Sequence, residues 1–207
     1  MSSRTRIAVL DYGIGNLRSA QKALERVGAD AVLTSDASVA ENADAVVLPG
    51  VGAFGACMSA LRDAGLETVV RGAVESGLPF MGICVGMQML FDSSDEDPDA
   101  TGLGVIPGKV SWIPESVPRP QMQWNQLQVR GNDPLFNGLG VDPWMYFVHS
   151  LHGVPVHQEH VSATVHYGET LNVAFRKDNV CATQFHPEKS AAAGLALLNN
   201  FVRSATR

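Results

Sequence analysis

Apolar positions in the first half of the chain switch repeatedly between two periods, and the switches lay out the predicted elements. Arg6 to Leu10 is a short apolar run stopped by Asp-Tyr-Gly, the pattern of a buried strand. Leu17, Ala20, Leu24 and Val27 then recur at helical spacing, with Gly28 as the stop. Further strands are predicted at Asp30–Thr34, at Asp44–Leu48 (ended by Pro49-Gly50) and at Leu78–Ile83. Phe54, Cys57, Met58 and Leu61 make one helical face, stopped by Gly65. Leu66, Val69, Val70, Ala73 and Val74 make another, stopped by Gly77, and Val85 to Phe91 also reads as helix. Strands separated by helices of this length imply βαβ units and a parallel sheet covered on both faces, an α/β fold.

The second half has a different rhythm. Segments near 105–113, 123–130, 144–149, 161–167, 171–176 and 180–185 read as short strands with turns between them. They are expected to be antiparallel additions to the sheet, followed by a closing helix marked by Leu195, Leu198 and Val202. The acidic run Asp92 to Asp99, with one proline, reads as a solvated surface loop.

Composition narrows the class. The 207 residues, 45% hydrophobic and 17% charged, suit a single domain, 1–207, with one core. Acids outnumber bases 21 to 15, and the charge of -6 argues against nucleic acid or an anionic membrane as partner. The basic start, Met1 to Arg6, precedes an apolar run too short for a signal-peptide core. The longest uncharged stretch, Ala45 to Leu61, falls short of the ~18 residues of a membrane span. Three cysteines make no paired framework and fit a reducing, cytoplasmic location.

Candidate chemistry begins at Gly82-Ile83-Cys84-Val85-Gly86, between a predicted strand and a predicted helix. It is the cysteine form of the nucleophile elbow, in which glycines relieve collisions in a tight turn and the thiol stands at a helix N-terminus. On the pattern alone, a buried cysteine between packing glycines is an equal alternative. A base is offered by Gln184-Phe185-His186-Pro187-Glu188. The proline biases His186 toward extended geometry, and Glu188, two residues on, falls on the same side as the ring, where it can fix the tautomer. Taken alone, an edge-strand histidine beside a surface glutamate explains this segment better. Oxyanion donors are expected at the Val85 N–H and in Leu48-Pro49-Gly50-Val51-Gly52, for which a tight strand-to-helix turn is the alternative.

Other signals carry less. Gly13-Ile14-Gly15 lacks the third glycine of a dinucleotide fingerprint. His149-x-x-His152 and His157-x-x-His160 have metal spacing but no supporting motif, so neither metal nor cofactor is expected. Cys57 and Cys181 read as core residues.

Together these motifs resemble a family. Pro49-Gly-Val-Gly52, Gly82-Ile-Cys-Val-Gly-Met-Gln88 and Phe185-His-Pro-Glu188 are similar to those of the class I (triad) glutamine amidotransferases. Gln123-Trp-Asn125, Tyr146-Phe-Val-His-Ser150 and the run through Lys189-Ser190 resemble the subfamily of glutaminase subunits of imidazole glycerol phosphate synthases. The resemblance spans essentially the whole chain. It implies a flavodoxin-like fold, a central mostly parallel mixed sheet flanked by helices. It implies hydrolysis of L-glutamine with Cys84 as nucleophile, His186 as acid/base and Glu188 as orienting carboxylate. Gln88, Glu96, Ser150 and Leu151 match substrate-holding positions. Gly50, Val51 and Gly52 match an oxyanion loop whose peptide orientation responds to the partner's ligand. Asn16, Trp124, Tyr146 and Lys189 match positions facing a cyclase/synthase subunit, the implied partner in histidine biosynthesis. Gln123 where glycine is common, Val85 where leucine is common, and Leu151-His152 in place of an aromatic depart from the usual pattern. Another triad glutaminase, such as the pyridoxal phosphate synthase subunit, usually carries Gly-Gly-Glu-Ser in place of Pro-Gly-Val-Gly. A cysteine peptidase would leave Gln88 unexplained, and a non-catalytic subunit would leave the intact triad unexplained. A single acidic domain with no phosphate-cradling motif further suggests half of a two-chain enzyme, with the phosphate-binding chemistry on the other half.

Overall fold

The computed structural model describes residues 4–206, so Met1 to Ser3 of the basic start and the last residue of the predicted domain lie outside it. The strands are β1 (Arg6–Leu10), β2 (Asp30–Thr34), β3 (Ala45–Gly50), β4 (Phe80–Cys84), β5 (Ser93–Ser94), β6 (Asp97–Thr101) and β7 (Gly108–Trp112). They continue with β8 (Gln121–Gln126), β9 (Gln128–Val129), β10 (Trp144–His149), β11 (Leu151–Pro155), β12 (Val161–Tyr167), β13 (Glu169–Lys177) and β14 (Val180–Thr183). The helices are α1 (Leu17–Arg26), α2 (Ala37–Glu41), α3 (Phe54–Asp63), α4 (Glu67–Glu75), α5 (Val85–Gln88) and α6 (Ala191–Ser204).

Eight strands form the central sheet in the order β2-β1-β3-β4-β14-β13-β12-β9. The first five run parallel, and β13, β12 and β9 are added antiparallel. The inner strands β3, β4 and β14 are buried at every position, as strands covered on both faces must be. Helix stops fall at Gly28, Gly65 and Gly77, each with positive φ.

Several expectations change. The segment at 180–185 is not an antiparallel addition: β14 lies parallel to β4, Val180 opposite Phe80 and Thr183 opposite Ile83. Segments 105–113 and 144–149 leave the central sheet altogether. β10 pairs with β8 in a two-stranded sheet, and β7 joins β11, β5 and β6 in a four-stranded one. The segment 123–130 is divided between β8 and β9, which belong to different sheets. The acidic run Asp92 to Asp99 is no simple loop, since β5 and β6 pair within it and β5 also pairs with β7. Ladder partners brought in by the fold override the local composition there. β3 runs on through Pro49-Gly50, because its register with β4 continues to Gly50 opposite Cys84. The predicted helix Val85–Phe91 stops at Gln88. α2, capped by the Asp36 carboxylate on the Ser38 N–H, and β11 were not anticipated.

Phe91, beyond α5, meets Phe175 of β13 edge to face at 5.2 Å, tying the elbow region to the antiparallel side of the sheet. Both rings are fully buried. Phe175→Ala is therefore expected to cost about 3–5 kcal/mol through lost burial and an unfilled cavity. Urea unfolding measures this; a loss under ~1 kcal/mol would show that the contact is not a joint of the core.

Candidate active site

Cys84 ends β4 and caps the N-terminus of α5, with φ 57° and ψ -115°. A residue with a side chain keeps such angles only where its surroundings enforce them. Here the enforcement is close backbone contact. A Cβ on Gly86 would lie 1.9 Å from the Leu48 carbonyl oxygen, and one on Gly82 would lie 2.9 Å from the Gly86 carbonyl oxygen. The elbow is thus wedged against β3, and Cys84 stands at the carboxyl edge of the sheet.

The strands flanking β4 bring the rest. β14 leads into Gln184, Phe185 and His186, while β3 leads into Val51 and Gly52. His186 is extended (φ -99°, ψ 96°), and Pro187–Lys189 form one 3-10 turn. Glu188 therefore reaches the ring by the turn rather than by strand alternation. His186 Nδ1 donates to Glu188 Oε1 at 2.7 Å, and both side chains are 3% exposed. Ser190 Oγ donates to the His186 carbonyl and accepts from the Tyr146 N–H, fastening this turn to β10. Nε2 of His186 makes no hydrogen bond, and its charge partner on that side is the Cys84 sulfur. Burial opposes a charged ring, but Cys84 and then Glu188 outweigh it and raise His186 from 6.5 to about 9.

A cavity of about 260 Å³ opens over Cys84. That is smaller than a drug-sized site and suits a ligand of amino-acid size. Val51, Gly52, Val85, Gln88, Glu96, Ser150, Leu151 and Lys189 line it together with Cys84 and His186. Glu96 does not float in a loop: its Oε2 accepts from the Phe54 N–H at the start of α3, at 2.8 Å. Gly50, Val51 and Asn16 border a smaller space behind His186 and Glu188. Trp124 and Tyr146 pair edge to face on β8 and β10, and Trp124 is exposed.

Two residues of the cavity were not singled out from sequence. Gln184 is fully buried, accepts from Gln88 Nε2 at 3.0 Å and reaches the Cys84 sulfur with its own Nε2 at 3.7 Å. Its place directly before Phe185-His186 was the available signal. His149, which the sequence offers for metal spacing and within the Tyr146–Ser150 motif but with no role of its own, is buried in the cavity wall. Its Nδ1 donates to the Leu151 carbonyl at 2.7 Å, and burial lowers it from 6.5 to about 4, so the ring is neutral. Nε2 must then accept. The structure sets Gln121 Oε1 2.7 Å away, and the amide turned over, with its nitrogen toward the ring, makes the donor that Nε2 needs. Among the described residues, no group of three or more His, Cys, Asp or Glu side chains could hold a metal. A second cavity, lined by Arg71, Leu103 and Lys177, lies at the start of β14, away from Cys84. Its cations already donate to the Leu103 and Val105 carbonyls. No helix of the described residues is long and apolar enough to cross a membrane.

Comparison with known proteins places the chain among relatives. The family model for glutamine amidotransferase class-I matches residues 8–205. An imidazole glycerol phosphate synthase subunit HisH from Synechococcus elongatus is 49% identical over 207 residues, covering 98% of this chain and 94% of the relative. The subunit of the same name from Aquifex aeolicus is 46% identical, with 98% of each covered. A solved structure described as a glutamine amidotransferase superposes with TM-score 0.76 at 26% identity, covering 96% of this chain and 98% of that one. PurLQS from Thermotoga maritima, 19% identical with TM-score 0.75, is alike in fold.

Two outcomes follow from the geometry around His186. Glu188→Gln keeps the volume but removes the charge and the tautomer lock, and is expected to lower kcat by roughly 10²–10⁴. A Glu188→Gln enzyme within threefold of wild type would exclude an orienting carboxylate. The raised value of His186 also sets a stability window. Its folded value, about 9, exceeds the ordinary 6.5. The contribution is fully present below about 6.5 and is lost as pH rises through about 9. The stability advantage of wild type over His186→Asn, read by thermal unfolding, should shrink between those limits. A constant difference would contradict the pairing.

Proposed function

The chain belongs to the class-I glutamine amidotransferase family, and we propose that it is the glutaminase subunit of an imidazole glycerol phosphate synthase. It would hydrolyse L-glutamine and deliver ammonia to a cyclase/synthase subunit in histidine biosynthesis. The observation that carries the reading is Cys84 at the elbow, facing a His186 held by Glu188 at 2.7 Å, over a cavity of amino-acid size. Near-half identity to HisH subunits along almost the whole chain supports the choice within the family. A cytoplasmic setting goes with this reading, supported by three free, buried cysteines.

On this reading the reaction is a covalent hydrolysis. The Cys84 thiolate attacks the side-chain carbonyl carbon of glutamine, and the developing oxyanion turns toward the Val85 N–H and the Gly50–Gly52 loop. His186 gives its Nε2 proton to the departing nitrogen, so ammonia leaves and a glutamyl thioester remains. A water that loses its proton to the now neutral His186 attacks the thioester, releasing glutamate and restoring the thiolate. Glu188 holds the ring through Nδ1 in both halves. Gln88 and Glu96 take the polar ends of the substrate, with Ser150 and Leu151 along its backbone. Asn16, Trp124, Tyr146 and Lys189 face the partner, the aromatic pair offering the anchors such interfaces favour.

Two measurements test this. Cys84→Ala is expected to remove glutamine hydrolysis entirely while the variant still binds the synthase subunit; residual activity at wild-type level would refute covalent catalysis. The free chain should hydrolyse glutamine far more slowly than the complex with nucleotide bound, in steady-state assays of glutamate release. Equal rates would refute dependence on the partner.

A further inference from the structure

Two buried side chains beside the site have no part in this mechanism. Tyr12, in the turn after β1, is 4% exposed, and Cys57, on α3, is fully buried. The Tyr12 hydroxyl donates to the Pro49 carbonyl at 2.7 Å, and the Cys57 thiol donates to the Val51 carbonyl at 3.3 Å. Those carbonyls belong to the peptides immediately before and after the Gly50–Val51 peptide. The loop has no room to withdraw from Tyr12. A Cβ on Gly50 would stand 2.6 Å from the Gly86 nitrogen on one side and 2.9 Å from the Tyr12 hydroxyl on another. Burial raises both the phenol and the thiol, so each keeps its proton at neutral pH and remains a donor.

We propose that Tyr12 and Cys57 are positioning residues for the oxyanion hole, pinning the peptides on either side of Gly50–Val51 and so fixing the loop opposite Cys84. Neither lines the cavity over Cys84. The inference rests on the glutaminase reading, because only an oxyanion gives the loop's orientation a catalytic meaning. Loss of a whole oxyanion donor costs about 10²–10³ in kcat, and loosening its support should cost less, about tenfold. Cys57 was read from sequence as core packing alone; its thiol also carries this second contact.

The test uses the complex with the synthase subunit and saturating nucleotide. For Tyr12→Phe, Cys57→Ala and Cys57→Ser, kcat and KM for glutamine are measured beside the rate at which iodoacetamide alkylates Cys84, followed by mass spectrometry of its peptide. Alkylation uses the same thiolate but builds no oxyanion. Tyr12→Phe and Cys57→Ala are expected to lose about tenfold in kcat, with KM and alkylation within about twofold of wild type. Cys57→Ser, which keeps a donor, should recover most of the rate. Unchanged kcat in both donor-less variants, a parallel fall of kcat and alkylation, or a serine variant no better than alanine would overturn the inference. A wild-type complex that fails to hydrolyse glutamine would bring down the glutaminase reading and this inference with it. An active wild type with unaffected variants would bring down the inference alone.

Discussion

The tight turn at Cys84 is the constraint to which the rest of the site is referred. Its positive φ costs of order 1–3 kcal/mol for a residue with a side chain. The cost is sustained because the elbow is trapped between two buried parallel strands. Gly86 has its backbone against the Leu48 carbonyl, and Gly82 lies under the start of α5. Any side chain at either glycine would push backbone against backbone. The sulfur is therefore located by the best-packed part of the molecule rather than by a surface loop. Rigid placement of this kind is what catalysis by orientation requires.

Strand order then decides what can meet that sulfur. β4 has β3 on one side and β14 on the other, all three parallel, so the segments leaving their carboxyl ends converge. From β3 come Gly50, Val51 and Gly52; from β14 come Gln184 and His186. About 100 residues of sequence separate Cys84 from Gln184, yet the two strands are neighbours. Had 180–185 been an antiparallel addition, as its neighbours in sequence suggested, His186 would have emerged at the opposite edge of the sheet. The parallel placement of β14 is a condition of the site, not a detail of topology.

What could be read from sequence was what local rules determine. Strand and helix alternation through Gln88, the elbow's glycines and the restriction on His186 before Pro187 all depend on neighbours within a few positions. The contact of His186 with Glu188 was anticipated, although by strand alternation, whereas the 3-10 turn at Pro187–Lys189 makes it. What escaped, the short locally capped α2 apart, depends on distant partners. Asp92 to Asp99 is acidic and loop-like in isolation, but β7 supplies an edge for β5, and the Phe54 N–H supplies a partner for Glu96. The role of Gln184 in joining Gln88 to Cys84 likewise needs two strands to be adjacent first. No pattern in the sequence records such adjacency.

The electrostatics of the cavity follow from the same placements. Two histidines line it, both buried, and burial by itself would neutralise both. His186 has a carboxylate on one nitrogen and a sulfur facing the other, and rises to about 9. His149 has no carboxylate, and burial, helped by the neighbouring His186, takes it down to about 4. The two rings are thereby held in opposite states across the whole neutral range. On the proposed mechanism only one of them carries a proton to give to a leaving nitrogen, and it is the one beside Cys84. The other, neutral and anchored at both nitrogens, stiffens the junction of β10 and β11 where Ser150 and Leu151 border the cavity. Were His149 charged as well, its charge would oppose that of His186, the same coupling that helps hold His149 low. Its neutrality is thus part of how the site keeps its single acid in the right place.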